Sequence, residues 1–236
     1  MEKIFLRRPK QNKRTKYFFK REFLALSLVG CSPENGSFNQ SEESGINYLV
    51  ASGENNMIIG GVGIDTVSYE GFGSSLRIDL SKVGEQNTIG DSFDTLINIE
   101  NVVGTNFDDQ IDGNEKVNIL TGNGGNDHLK GGLGDDILTG GADNDYFYID
   151  HGIDTITDLS TGDIFFVSEA SEVIANDIIN FSATPDTRNL GIATLLAGAS
   201  GSVINMSRSS AGAYTIVGGA DADTLTGGND NDTLTG

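Results

Sequence analysis

Carboxylates at a nine-residue interval are the feature of this sequence most able to do chemistry. Units beginning at residues 104, 113, 122, 131, 140 and 149 run without insertion, and their sixth positions are Asp109, Asn118, Asp127, Asp136, Asp145 and Asp154. Three further units carry Asp65, Asp223 and Asp232 in the same place. If two units make one turn of a coil, loops of alternate units stack about 4.8 Å apart. Carboxylates that close repel by about 1 kcal/mol in bulk water and by ~4 kcal/mol at an intermediate dielectric. A hard divalent cation between the loops removes the repulsion, and carboxylates with backbone carbonyls are the oxygen set that Ca2+ prefers. Binding and folding are then expected to be coupled.

The elements that must hold these groups follow from the rest of the unit. Residues 131 to 139, Gly-Gly-Leu-Gly-Asp-Asp-Ile-Leu-Thr, place glycine at the first, second and fourth positions. Such a chain turns tightly for six residues and runs extended for about three, and glycine supplies the left-handed conformations the turn requires. Asp143, Asp221 and Asp230 stand at the fourth position of three units, and aspartate is one of the few other residues that visit that region. The eighth positions, Ile111, Leu120, Leu129, Leu138, Phe147 and Ile156, are apolar. The eighth residue alone is expected to point inward, and stacking then buries a column that no single unit could bury. Elsewhere the register weakens: residues 51 to 59 keep only Asn56 and Ile58, and 209 to 217 carry Tyr214 where the acid should be. Strands are expected at 76–81, 96–103 and 164–167, and a short helix at 189–197.

Composition narrows the function classes. The 236 residues include 32 Gly, 3 Pro, one Cys and no Trp. Glycine lacks the every-third-residue spacing of collagen, and a single cysteine excludes a disulfide framework. Acids outnumber bases 34 to 15, a net charge of −19, which repels a phosphate backbone and excludes nucleic acid as a partner. Residues 1 to 21 hold nine of the bases and one acid, leaving the other 215 residues with 6 bases and 33 acids, a balance of −27. A basic leader (1–31) therefore precedes a polar linker (32–50), a repeat-bearing body (51–168, central repeats 104–157), a non-repeat connector (169–208) and a second array (209–236) that stops inside a unit, read as truncated. Catalytic signatures are missing. His128 and His151 are the only histidines and form no His-Glu-x-x-His zinc motif, and no Gly-x-Ser-x-Gly elbow occurs. Asp108 and Asp109 could be imagined as paired glycosidase acids, but their place in the repeat explains them better.

These units resemble the Gly-Gly-x-Gly-x-Asp-x-apolar-x repeats of the RTX, or hemolysin-type calcium-binding, family. Residues 60 to 166 also resemble the C-terminal module of serralysin-type metalloproteases, through Ile-Gly-Asp-Ser-Phe-Asp-Thr-Leu at 89–96 and Asp-Thr-Ile-Thr-Asp-Leu at 154–159. The resemblance implies an all-β parallel β-roll with several Ca2+ ions between successive loops. It implies one row of Asp109, Asp127 and Asp145 and another of Asn118, Asp136 and Asp154. The loop backbone at Gly122, Gly124, Gly131, Gly132, Gly134, Gly140 and Gly141 completes the ligands. Asp127 with Asp145 and Asp136 with Asp154 should form the best sites. Asn118 should form a weaker one, and Asp223 and Asp232 incomplete ones. Asp65 joins the ligand set. The Leu-Val-Gly-Cys ending at Cys31 resembles a bacterial lipobox, with Cys31 as a lipid anchor. The function implied is a non-enzymatic, secreted or surface-bound bacterial protein that folds on Ca2+ outside the cytoplasm, an adhesin or matrix component with a cell-surface or matrix partner. Type I secretion is the export route common to the family. The alternative is the calcium-binding module of a larger secreted metalloprotease or lipase.

Overall fold

A computed structural model describes residues 36–40, 44–52, 55–90 and 92–236. The leader, Cys31 and part of the linker lie outside these residues. The described residues contain strands and no helix. Ten strands form one long sheet, in the order Ser44–Val50, Val62–Ser68, Asn101–Val103, Ile119–Gly124, Ile137–Ala142, Ile153–Ile156, Glu172–Ile178, Ile192–Ala197, Tyr214–Val217 and Thr233–Thr235. The opposite wall is a six-stranded sheet from Arg188–Asn189 through Ile164–Val167, Tyr146–Ile149, His128–Lys130 and Gln110–Asp112 to Arg77–Asp79, with smaller sheets toward either end. Strand pairs are parallel except Gln86–Ile89 with Ser92–Ile97. The fold is a parallel β-solenoid of about 10 turns, consistent with a β-roll.

Register shows why nine residues is the repeat. Leu120 faces Leu138 in one wall and Leu129 faces Phe147 in the other, so successive coils are offset by 18 residues. One nonapeptide contributes to each wall. Val67, Val102, Leu120, Leu138, Ile156, Leu195 and Ile216 line the inside of the long sheet, and Ile78, Ile111, Leu129, Phe147 and Phe165 line the other, all 0% exposed. Each such aliphatic side chain contributes roughly 1.5–3 kcal/mol of burial free energy.

Several expectations are corrected. The eighth residue is not alone in facing inward: strand alternation puts the sixth and the next unit's first residue on the same side, so Asp127, Leu129 and Gly131 are all buried. The stretch 96–103 is two strands, broken where Asn98 adopts φ 52°. No helix forms at 189–197. Ala193 and Leu195 are buried while Ile192 is exposed, a period of two that pairs with Glu172–Ile178. Gly191, which weakens a helix, has no room for a side chain against the Ser171 carbonyl. The stretch 169–208 carries strands of the same sheets, but Ile156 faces Ala175, Ala175 faces Leu195 and Leu195 faces Ile216, steps of 19, 20 and 21 residues. These longer coils hide the nonapeptide period without interrupting the solenoid.

Leu138→Ala in the Ca2+-loaded protein should lower unfolding free energy by about 2–5 kcal/mol in a denaturant melt. Val117→Ala, on an exposed residue, should stay within about 0.5 kcal/mol. Equal losses at the two positions would refute the inward column.

Candidate metal centre

The buried aspartate of each unit is held by two neighbours. Across its own turn it meets the first glycine, because a Cβ on Gly122, Gly131 or Gly140 would overlap Oδ2 of Asp127, Asp136 or Asp145. The glycine is required as empty space that the carboxylate fills. Along the coil axis, Oδ1 accepts the backbone N–H of the equivalent residue one coil earlier. Asp127 accepts from Asp109 (2.7 Å), Asp145 from Asp127 (2.9 Å), Asp136 from Asn118 (2.7 Å) and Asp154 from Asp136 (3.0 Å). The two expected rows are thus brought together as rows. Asp65 accepts from Asn47 (3.1 Å), Asp232 from Tyr214 (2.8 Å) and Asp223 from Ser202 (2.7 Å) in the same way. The glycine turns behave as their composition requires: Gly132, Gly134 and Gly141 have φ of 101°, 117° and 110°, and Asp143 takes φ 81° in place of a glycine. Gly124 ends a strand instead.

The second carboxylate oxygen divides the loops into two classes. In Asp65, Asp127, Asp136, Asp145 and Asp154, Oδ2 is buried and has no hydrogen-bond partner. These residues are at most 2% exposed. In the other loops the chain supplies a donor itself. Oδ2 of Asp109 accepts from Thr105 N–H (2.6 Å), that of Asp223 from Gly219 (2.6 Å) and that of Asp232 from Gly228 (2.6 Å). Asn118 donates its amide to the Glu100 carbonyl (2.6 Å) and accepts from Asn114 N–H (2.8 Å).

Sequence reasoning missed three further buried carboxylates, Asp163, Glu100 and Asp94, and the lysine that pairs with one of them. Asp163 continues the first row, accepting from Asp145 (2.9 Å) and Ser160 (2.7 Å). It lies nine residues after Asp154, with Phe165 in the apolar column, so the period could have found it. Glu100 accepts from Asp65 N–H (3.0 Å) and pairs with the Lys116 ammonium (2.5 Å). Asp94 accepts from Asn56 N–H, Tyr69 OH and Thr88 OH, each at 2.7 Å. Glu100 and Asp94 have no nonapeptide signal, because the coil from Asp65 to Glu100 spans 35 residues, whereas Lys116 lies at the fourth position of the unit that begins at 113.

Burial dominates the electrostatics of the central loops. Burial raises the Asp127 carboxyl to about 8, with neighbouring Asp109 and Asp145 adding to the rise. Burial also raises Asp136 to about 6 and Asp145 and Asp154 to about 7, against the opposing pull of the N–H one coil earlier. A desolvated carboxylate with one unpartnered oxygen is costly when ionised. Among the described residues no three His, Cys, Asp or Glu side chains converge on one point. The donors available at each loop are therefore one carboxylate oxygen and main-chain carbonyls of the turn. That set suits a hard, oxygen-seeking cation and gives a soft metal nothing to bind.

A parallel solenoid whose glycine turns stack buried, half-partnered carboxylates defines a β-roll with loops suited to a hard cation. The family of RTX calcium-binding nonapeptide repeats matches the chain in four copies, over residues 43–71, 103–138, 121–156 and 210–236. RTX nonapeptide repeats bind Ca2+, several ions across the repeats. No curated protein matches the chain.

The pH dependence of the ion-free protein has a definite sign. Carboxyls whose folded pKa lies above the unfolded value stabilise the fold when protonated, and that contribution disappears as pH rises through the folded pKa. Without Ca2+, the contribution of these carboxyls to β structure should be greatest at or below pH ~4 and be lost progressively as pH climbs to about 8. Circular dichroism in chelator checks this, and ion-free β content that grew with pH would contradict it.

Proposed function

We propose that this chain is a calcium-switched folding module of a non-enzymatic protein that works outside the cytoplasm, on the surface or in the matrix of a bacterium. The repeats mark a calcium-binding protein of secreted type. The observation that carries the reading is the set of buried Oδ2 atoms without a donor at Asp65, Asp127, Asp136, Asp145 and Asp154. Asp127 with Asp145, Asp136 with Asp154, and Asp65 would hold the ions, with backbone carbonyls of their glycine turns. Bound Ca2+ would supply the positive charge those oxygens lack. The chain does the rest: each Oδ1 fixes the spacing to the preceding coil, and the first glycine clears the space for Oδ2. Where Thr105, Ser160, Gly219, Gly228 or Lys116 already supplies a donor, an ion adds little. Cytosolic Ca2+ lies far below the roughly 10⁻⁴–10⁻³ M range of weak extracellular modules, so the coil would close only after export. Fractionation that found the folded chain in the cytoplasm would sink the proposed location.

Far-UV circular dichroism should show β structure gained on adding millimolar Ca2+ to chelated protein at neutral pH. Asp136→Asn should raise the Ca2+ midpoint or remove an ion from the titration, while Asp223→Asn should leave the midpoint within about twofold. Identical spectra in chelator and Ca2+ would end the switch reading.

Hydrogen exchange resolves the loop classes. In chelator, protection should survive around Ile58, Tyr69 and Thr88, where Asp94 is fully partnered, and disappear from residues 119 to 156. Uniform loss along the chain would show that the self-partnered coils do not stand without the ion.

A further inference from the structure

We propose that Asp150 is an extra side-chain ligand for the cation held between the loops of Asp136 and Asp154, kept in reserve by Lys130. The proposal rests on the calcium reading above and adds to it a residue outside the aspartate column of the repeat. Oδ1 of Asp150 is a further buried carboxylate oxygen without a hydrogen-bond partner. Its Oδ2 meets the Lys130 ammonium at 3.1 Å and lies 3.9 Å from His151 Nδ1. Lys130 immediately precedes Gly131, where the Asp136 loop begins, so this ion pair draws the Asp150 side chain back across the gap between the two loops. Asp136 and Asp154 are 1% and 0% exposed, and each keeps an unpartnered Oδ2. Burial is the main reason those two carboxyls are raised, and the nearby charge of Asp150 adds to the rise in both.

The loop that carries Asp150 departs from the repeat in a way that calls for another oxygen. In the other uninterrupted units the second position is Thr105, Asn114, Asn123, Gly132 or Gly141, so Asp150 is the one acid in that column. The carbonyls of Ile149, Asp150 and Gly152 are engaged by the next coil, accepting from Ser168 N–H (2.8 Å), the Ser168 hydroxyl (2.8 Å) and Glu172 N–H (3.0 Å). Carbonyls so engaged are poorer ligands for an ion that takes roughly six to eight oxygens, and a carboxylate restores both oxygen count and charge. While Lys130 holds Asp150 aside, the three carboxylates do not converge. A divalent ion competes with the ammonium for the same group. The pair that must open is weak, because the Lys130 and Asp150 side chains are 46% and 27% exposed.

Calorimetric Ca2+ titration of the full chain, with β content followed at saturation, tests this. Asp150→Asn should weaken one ion by about tenfold or more and leave the others unchanged. In an Asp136→Asn background the same substitution should have little further effect, because both act on one ion. Asp135→Asn removes an equal charge from the exposed rim of the same loop, where Asp135 accepts the Ile153 N–H (2.9 Å). It should weaken that ion by less than about threefold, since an exposed charge acts only through screened solvent. Lys130→Gln should tighten the same ion by removing its competitor. If Asp150→Asn loses structure, Asp150→Ser replaces it. Affinities unchanged in Asp150→Asn overturn the proposal and leave the calcium reading intact, whereas a chain that takes up no Ca2+ refutes both. Equal losses from Asp135→Asn and Asp150→Asn would reduce Asp150 to a distant charge. Weaker binding in Lys130→Gln would reduce the ion pair to a brace of the turn, and either result overturns the proposal.

Discussion

A carboxylate that bonds backward to the preceding coil with one oxygen and leaves the other without a donor is the interaction on which this structure depends. It sets the distance between coils, demands glycine across the turn, and creates an electrostatic deficit that apolar packing does not offset. Asp127, Asp136, Asp145 and Asp154 sit on the same inward stripe as Leu129, Leu138, Phe147 and Ile156. The core of each coil is therefore half aliphatic column and half carboxylate ladder. A small solenoid without disulfides needs some other staple, and the ladder supplies its attachment points.

The two ends of the described solenoid solve the deficit differently from its middle. Near Asp94 a tyrosine, a threonine and an asparagine surround the carboxylate, and at Glu100 a lysine takes the position of a counterion. At Asp223 and Asp232 the glycine N–H of the turn itself closes on Oδ2. Within one architecture the same carboxylate can be satisfied by side chains, by backbone or by an ion. Only the loops of Asp65, Asp127, Asp136, Asp145 and Asp154 leave the ion as the remaining choice.

Much of this was legible in the sequence. The period of nine, the apolar column and both aspartate rows follow from Asp109 to Asp154 alone, because 18 residues per coil turn a linear repeat into a spatial one. The illegible parts are those where the coil length changes. A 35-residue coil hides Glu100 and Asp94, and steps of 19 to 21 residues disguise 169–208 as a connector. Helix propensity misled at 189–197, where Leu195 and Ala193 answer to the wall they pack on. Nor does the repeat reveal which loops find their own donors. That depends on whether a particular N–H, such as that of Thr105 or Gly228, reaches Oδ2, and a one-letter pattern does not encode this.

The backward reach of each Oδ1 also gives the stack a grammar of extension. Every coil in a row offers its own N–H to the carboxylate of the coil that follows, and spends its carboxylate on the coil before. A coil joined on the C-terminal side must bring an acid, whereas one joined on the N-terminal side need bring only a peptide group. Asn47 and Leu76 stand in that second situation: each gives an N–H to the row without contributing a carboxylate of its own. The solenoid is in this sense polar, like a zipper whose teeth all face one way.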